Sequence, residues 1–371
     1  MKDPLFSSFS IGQLEISNRL IRSACAERSA NPDGSVSPVL EELYTELAVG
    51  GAGLVVTGYA FVESSGRCGA RQLGIHHDSM IPGLTGLCNR FHRASPGARL
   101  FIQLVHGGRQ SKPYLVPEIV APSAVPLAGI KPRPLRHREI LRIIKSFAEA
   151  GGRAKEAGFD GVQIHGAHGF LISQFNSPHT NRREDIWGGI PENRRRFFLE
   201  IIKETRKITG DDFPIIAKVN GSDFLENRGL NLEEVIPMIA AAKEAGLDGV
   251  EISGGMADTP PELSAIRGPI RRRSQEAYLL PWARSIKNAV DMPVITVGGV
   301  RSARIARDII TRQEAHGIAM CRPFIREKDI PLRWKNGQLR SACISCGGCS
   351  IDTGGPTRCV LSKNKDEPID E

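Results

Sequence analysis

Short apolar runs rich in β-branched residues alternate along this chain with longer segments whose apolar positions recur every three or four residues. The runs fall at 19–23, 54–57, 100–104, 161–165, 215–219, 249–252, 294–297 and 317–320. Runs of that length suit buried strands, and segments such as 140–157 and 232–245 carry the period of amphipathic helices. Eight strands separated by helices predict parallel strands with crossover helices. A near-repeat supports equivalent units: KEAGFDGVQI at 155–164 and KEAGLDGVEI at 243–252 spell the same helix, Gly turn and strand. The expected fold class is therefore α/β, a closed (β/α)8 barrel. Residues 112–136, rich in Pro and without a period, interrupt the third unit and read as a long excursion, a lid over the catalytic face.

Composition bounds this picture without choosing a chemistry. A chain of 371 residues with 40% hydrophobic content can bury a core as one large barrel or as two ordinary domains. No apolar run approaches 18 residues, and MKDPLFSSFSIG lacks a signal pattern, so no membrane partner and a cytoplasmic location are expected. Forty-nine Lys and Arg against 41 Asp and Glu leave +8, which suits an anionic nucleotide, a CoA-like substrate or nucleic acid alike. The basic pieces at 131–138, 194–196 and 271–273 read as solvated faces, so nucleic acid is not the expected partner.

The chemistry concentrates in GVQIHGAHGFLISQFNSPHTNRREDIWGG, residues 161–189. His165 and His168 stand where the fourth run ends, and in a barrel that end is the catalytic face. By spacing alone they could equally be capping histidines or half of a metal site. The polar stretch 173–185 reads as an active-site loop. Gly298 and Gly299 close the seventh run and Arg322 follows the eighth, the place where such barrels bind phosphate. Cys343, Cys346, Cys349 and Cys359 gather in CISCGGCSIDTGGPTRC, a spacing suited to a soft metal, whereas Cys68, Cys88 and Cys321 read as packing residues.

The order His165-Gly-Ala-His168-Gly169-Phe170-Leu171, Gln174-Phe175, Ser177-Pro178, Asn181, Arg183, Asp185 and Gly188-Gly189 closely resembles the signature of the old yellow enzyme family. The likeness runs from about residue 3 to 336, and the cysteine-rich tail resembles the branch containing bacterial 2,4-dienoyl-CoA reductase. The resemblance implies an FMN-binding TIM barrel at 1–336, a cysteine-rich extension at 337–371, and an NAD(P)H-dependent oxidoreductase of the ene-reductase type. It would reduce a small unsaturated substrate, an α,β-unsaturated carbonyl or enoyl or dienoyl compound. The imidazoles of His165 and His168 would hold the carbonyl oxygen. Ser23, Ala24, Cys25, Gly58, Tyr59 and Gln103 match flavin-contacting positions. Lys218 would place positive charge beside the flavin pyrimidine edge, and Gly298, Gly299 and Arg322 would hold its phosphate. In the tail, the related branch binds a four-iron four-sulfur cluster; zinc or free thiols remain the alternatives here.

Three departures bear on the chemistry. Phe170 stands where the family often has a tyrosine that protonates the substrate, so Tyr59, Tyr44, Cys25 or water is left to supply the proton. Cys25 lies beside the position of a flavin-tuning cysteine, which is Ala26 here. Arg28 replaces an aromatic pocket residue and suggests an anionic substrate group, unless Glu27 pairs with it. Two other readings stay open: a flavin barrel that reduces uridine in tRNA, and a flavin and metal electron-transfer module serving a partner protein. A homo-oligomer is compatible with either.

Overall fold

A computed structural model describes residues 3–226, 228–351 and 354–362. All eight predicted runs form strands: β1 (Leu20–Arg22), β2 (Leu54–Phe61), β3 (Arg99–Val105), β4 (Gly161–Gly166), β5 (Ile215–Asn220), β6 (Gly249–Ser253), β7 (Val294–Val297) and β8 (Gly317–Met320). They pair in sequence order and close into a barrel through the parallel β8 to β1 ladder, with Ile318 opposite Leu20 and Met320 opposite Arg22. This is a TIM barrel. β2 is longer than the sequence predicts, because a register shift between Val56 and Tyr59 lets it continue along β3 to Phe61. The predicted helices occupy His137–Glu156 and Leu232–Glu244.

Strand alternation decides where the chemistry sits. Near the strand starts, Ile21, Leu54, Phe101, Ile216 and Ile295 meet in one apolar cluster inside the barrel, sealed by a hairpin of Phe9–Ile11 and Leu14–Ile16. Two residues further along β3, β4, β5 and β6, the equivalent positions are Gln103, Gln163, Lys218 and Glu251, all at most 3% exposed. The apolar layer thus acts as a floor beneath a polar one. Among the described residues no helix is long and apolar enough to cross a membrane.

The excursion at 112–136 is not a lid. It carries a two-residue pairing of Val120–Ala121 with Arg133–Pro134 and packs against the segment after β4, where Arg183 donates to the carbonyls of Pro122 and Leu135 at 2.9 and 2.8 Å. None of its residues lines the cavity described next.

Candidate active site

The C-terminal ends of the strands surround a cavity of about 460 Å³. His165, His168 and Phe170 form one wall; Ser23, Ala24, Cys25 and Arg28 line it from β1, and Tyr59, Gln103 and Lys218 from β2, β3 and β5. Gly298, Gly299 and Arg322 line it after β7 and β8. Gly58 is the exception among the sequence-predicted residues. It is buried behind the wall, where its N–H donates to the Tyr44 hydroxyl at 3.1 Å and to the Glu27 carboxylate. A Cβ there would strike Glu27 and the Cys25 carbonyl, so this glycine serves packing.

The polar layer is one connected chain. Lys218 donates to Ser23 at 2.8 Å and lies 3.1 Å from Glu251, while Ser23 donates to the same carboxylate at 2.6 Å. Gln103 donates to Gln163 at 2.7 Å, and Gln163 to the other Glu251 oxygen at 2.8 Å. A buried carboxylate is tolerated because a cation and two neutral donors satisfy it. Gln163 and Glu251 had not been singled out from sequence. They occupy the same place in the two near-repeats, and a polar residue at matched positions of two apolar runs was the available signal.

The histidines stand at right angles, with ring centroids 5.2 Å apart and planes at 87°. Nε2 of His168 pairs with the Ser253 hydroxyl at 2.6 Å, its backbone N–H donates to Asn220 at 3.1 Å, and its carbonyl accepts from Gln110 at 2.9 Å. These bonds hold a non-glycine residue at φ +60°. Nδ1 of His165 is buried without a hydrogen-bond partner. Burial, helped by the Lys218 charge, pushes His168 down to about 3. Burial, then His168 and Lys218, pushes His165 well below the usual imidazole value. Both rings are neutral donors at neutral pH.

That neutrality has a stability consequence. Burial also lowers His106 to about 4, and its Nδ1 accepts the Gly108 N–H at 3.1 Å. An unfolded histidine titrates near 6.5. Between that value and the folded values the unfolded chain therefore binds more protons, so stability is full above pH 6.5 and is lost as pH falls. The expected slope is about 1.4 kcal/mol per pH unit for each such histidine. Urea midpoints measured from pH 7 to pH 4.5 should fall steadily, and a flat profile would show that these rings are not held neutral.

Gly298 and Gly299 have φ +127° and +76°, a region unfavourable for other residues, and a Cβ on either would run into Tyr278. Their backbone faces the cavity, while their missing side chains make room for the wall. Arg322 lines the cavity with its Nη1 donating to the Ser345 carbonyl at 3.0 Å.

The tail packs on the catalytic face. Arg28 donates to the carbonyls of Ile351 and Ser350 at 2.7 and 2.8 Å, and Thr357 bonds the backbone of Glu27 and Ala26. Glu27 pairs with Arg22 at 3.3 Å, not with Arg28. Arg28 thus anchors the tail at the cavity rim. The stretch 173–185, expected to be an active-site loop, contributes no lining residue and braces the histidine wall from behind. There Gln174 donates to the carbonyls of Gly107 and Gly169 at 3.1 and 2.6 Å. Cys343, Cys346, Cys349 and Cys359 all border a second small cavity, with Ser345 N–H donating to the Cys343 sulfur at 3.4 Å. Among the described residues, no three such side chains converge as a metal site. Cys321, expected to be a packing residue, is joined to Cys25 in a disulfide.

The cavity at the strand ends, with a glycine turn after β7 and an arginine after β8, stands where barrels of this kind commonly hold a phosphate group. Residues 4–340 match the NADH:flavin oxidoreductase / NADH oxidase family. An NADH oxidase of Thermoanaerobacter brockii is 39% identical over 93% of this chain and 53% of its own length. An NADPH dehydrogenase of Geobacillus sp. (strain WCH70) is 34% identical over 88% of this chain and 92% of its own. The solved structure of a 2-naphthoyl-CoA reductase with 2-naphthoyl-CoA superposes with a TM-score of 0.86 at 27% identity, covering 94% of this chain and 54% of that one. The chain spans about half the length of the first and third of these. It belongs to the NADH:flavin oxidoreductase / NADH oxidase family, the old yellow enzyme family of FMN-dependent NAD(P)H oxidoreductases.

Proposed function

We propose that the protein reduces a carbon–carbon double bond conjugated to a carbonyl, with FMN in the barrel cavity and NAD(P)H as the electron source. The observation that carries this reading is the pair of imidazoles on the cavity wall, both held neutral by burial. FMN fits the residues present: amide and hydroxyl groups from β1 and β3, a buried cation from β5, and backbone with an arginine after β7 and β8. When bound, it passes a hydride equivalent from nicotinamide to the alkene. His165 and His168 donate to the carbonyl oxygen, where negative charge grows as the double bond is reduced.

The visible spectrum of the purified protein, followed by anaerobic mixing with NADH or NADPH and then an enone, tests this directly. Flavin reduction followed by enone-dependent reoxidation is expected, and a reduced flavin that no enone reoxidises would reject the alkene reading. Arg322→Ala should weaken FMN retention by about 1–3 kcal/mol, the worth of a charged hydrogen bond to phosphate. Unchanged retention on dialysis would remove Arg322 from the phosphate site.

Lys218 does not act as an isolated cation, since Glu251 compensates it. Glu251→Gln should expose that charge and favour the reduced, anionic flavin by about 1–3 kcal/mol at an effective dielectric near 20. A spectroelectrochemical titration should show a raised midpoint potential, and the rise should vanish when Lys218→Met is added. A rise that survives without Lys218 would show that Glu251 acts on the flavin by another route.

The tail cysteines enter the same reading as ligands of a soft metal, iron–sulfur first and zinc second. The thiols as placed border one cavity without forming a coordination set, so no step is routed through them. Iron, sulfide and zinc analysis of anaerobically purified protein decides between these occupants.

A further inference from the structure

Two cysteines outside the tail meet on the wall of the main cavity. Cys25 follows β1 and Cys321 follows β8, adjacent strands at the seam where the barrel closes, and their sulfurs are bonded across a Cα separation of 6.0 Å. That separation lies in the ordinary range for a disulfide. Both residues line the same cavity as His165, Lys218 and Arg322.

The location argues against a purely structural staple. The seam already carries a parallel ladder through Ile318, Ala319 and Met320, extended by the Ser23 N–H donating to the Met320 carbonyl at 2.9 Å. A crosslink between residues 296 apart would constrain the unfolded chain whatever its surroundings, so it is the position on the cavity wall, and not the seam, that points to a redox role. The barrel thiols Cys68 and Cys88 lie elsewhere, and neither borders the cavity. Cys25 and Cys321 instead line the cavity itself, so the bond between them faces the space a cofactor would occupy.

We propose that Cys25 and Cys321 are a redox-active pair that exchanges two electrons with the flavin site, a second electron store inside the barrel. With FMN bound and reduced, the S–S bond would accept a hydride equivalent from it and one proton from solvent, leaving two thiols and oxidised FMN. NAD(P)H supplies the electrons, so a fully charged barrel holds four electrons where FMN alone holds two. This rests on the flavin reading of the cavity and is independent of which alkene is the substrate.

The test is thiol mapping on the whole protein. Anaerobic samples, before and after reduction by NADH or NADPH, are quenched in acid, alkylated with iodoacetamide and digested. The masses of the peptides containing Cys25 and Cys321 are then read. Both cysteines should be blocked before reduction and both labelled after it. In Cys321→Ser, Cys25 should be labelled in both samples. Scoring these two peptides alone keeps electrons held by the tail out of the result. The flavin spectrum is recorded in parallel, so failure of the flavin reading is seen separately. If nicotinamide does not bleach the flavin, photoreduction with a deazaflavin charges it instead and the same peptides are read. A pair that stays blocked beside fully reduced flavin overturns the proposal, as do two free thiols at the outset or a protein that binds no FMN.

Discussion

Replacing His165 and His168 together by alanine is expected to slow reoxidation of the reduced enzyme by enones about a thousandfold or more, while FMN stays bound. Removing a single preorganised donor from an oxyanion site typically costs about 10²–10³ in rate. The two rings stand at 87° to each other on the cavity wall, and as donors they would reach a bound carbonyl oxygen from two directions. Both rings are held neutral by burial, so they act as fixed dipoles and their donation survives without titrating across the neutral range. Ser253 fixes one nitrogen of His168 and thereby aims the other. Stopped-flow reoxidation, with phenol binding as a second readout, checks the prediction. Near-normal enone turnover in the double variant would take the oxyanion role away from these residues. Loss of FMN would mean that they support the cofactor.

The barrel was readable because its signal is local. Each strand is a short apolar run, and the Gly-x-Asp-Gly turns at 158–161 and 246–249 mark where helix gives way to strand. The wall residues were readable through their place at strand ends, which is why His165, Lys218 and Arg322 all reach the cavity. What sequence missed is long-range. The Cys25–Cys321 pairing spans 296 residues and depends on barrel closure bringing the first strand beside the last. Tyr44 looked available as an acid, yet its hydroxyl is committed to Glu27 beneath β2, and burial raises its pKa well above the usual phenol range. Segment 112–136 was placed over the cavity on length alone, whereas its carbonyls are claimed by Arg183 on a neighbouring loop.

These placements narrow the question that Phe170 raises. Reduction of an activated alkene needs a proton at the α-carbon, and Phe170 has none to give. Tyr44 is committed elsewhere, and Cys25 carries a proton only in the four-electron state proposed above, so it cannot serve the two-electron enzyme, in which its sulfur is bonded to Cys321. Tyr59 lines the cavity, with its ring centroid 5.4 Å from Phe170 and 6.4 Å from His165. The proposed acid is therefore Tyr59. General-acid assistance is worth about a hundredfold or more, so Tyr59→Phe should slow enone-dependent reoxidation by about that factor with FMN reduction by nicotinamide little changed. Phe170 lies 4.7 Å from His165, so a hydroxyl added to its ring would enter the same part of the cavity. Phe170→Tyr should raise the rate in the native background and recover part of the loss in the Tyr59→Phe background. Solvent isotope effects on reoxidation should rise in Tyr59→Phe and fall on rescue. An unaltered rate in Tyr59→Phe across several enones would move the proton source to water, and a slower Phe170→Tyr would show that the aromatic ring is there to shape the pocket for an apolar substrate.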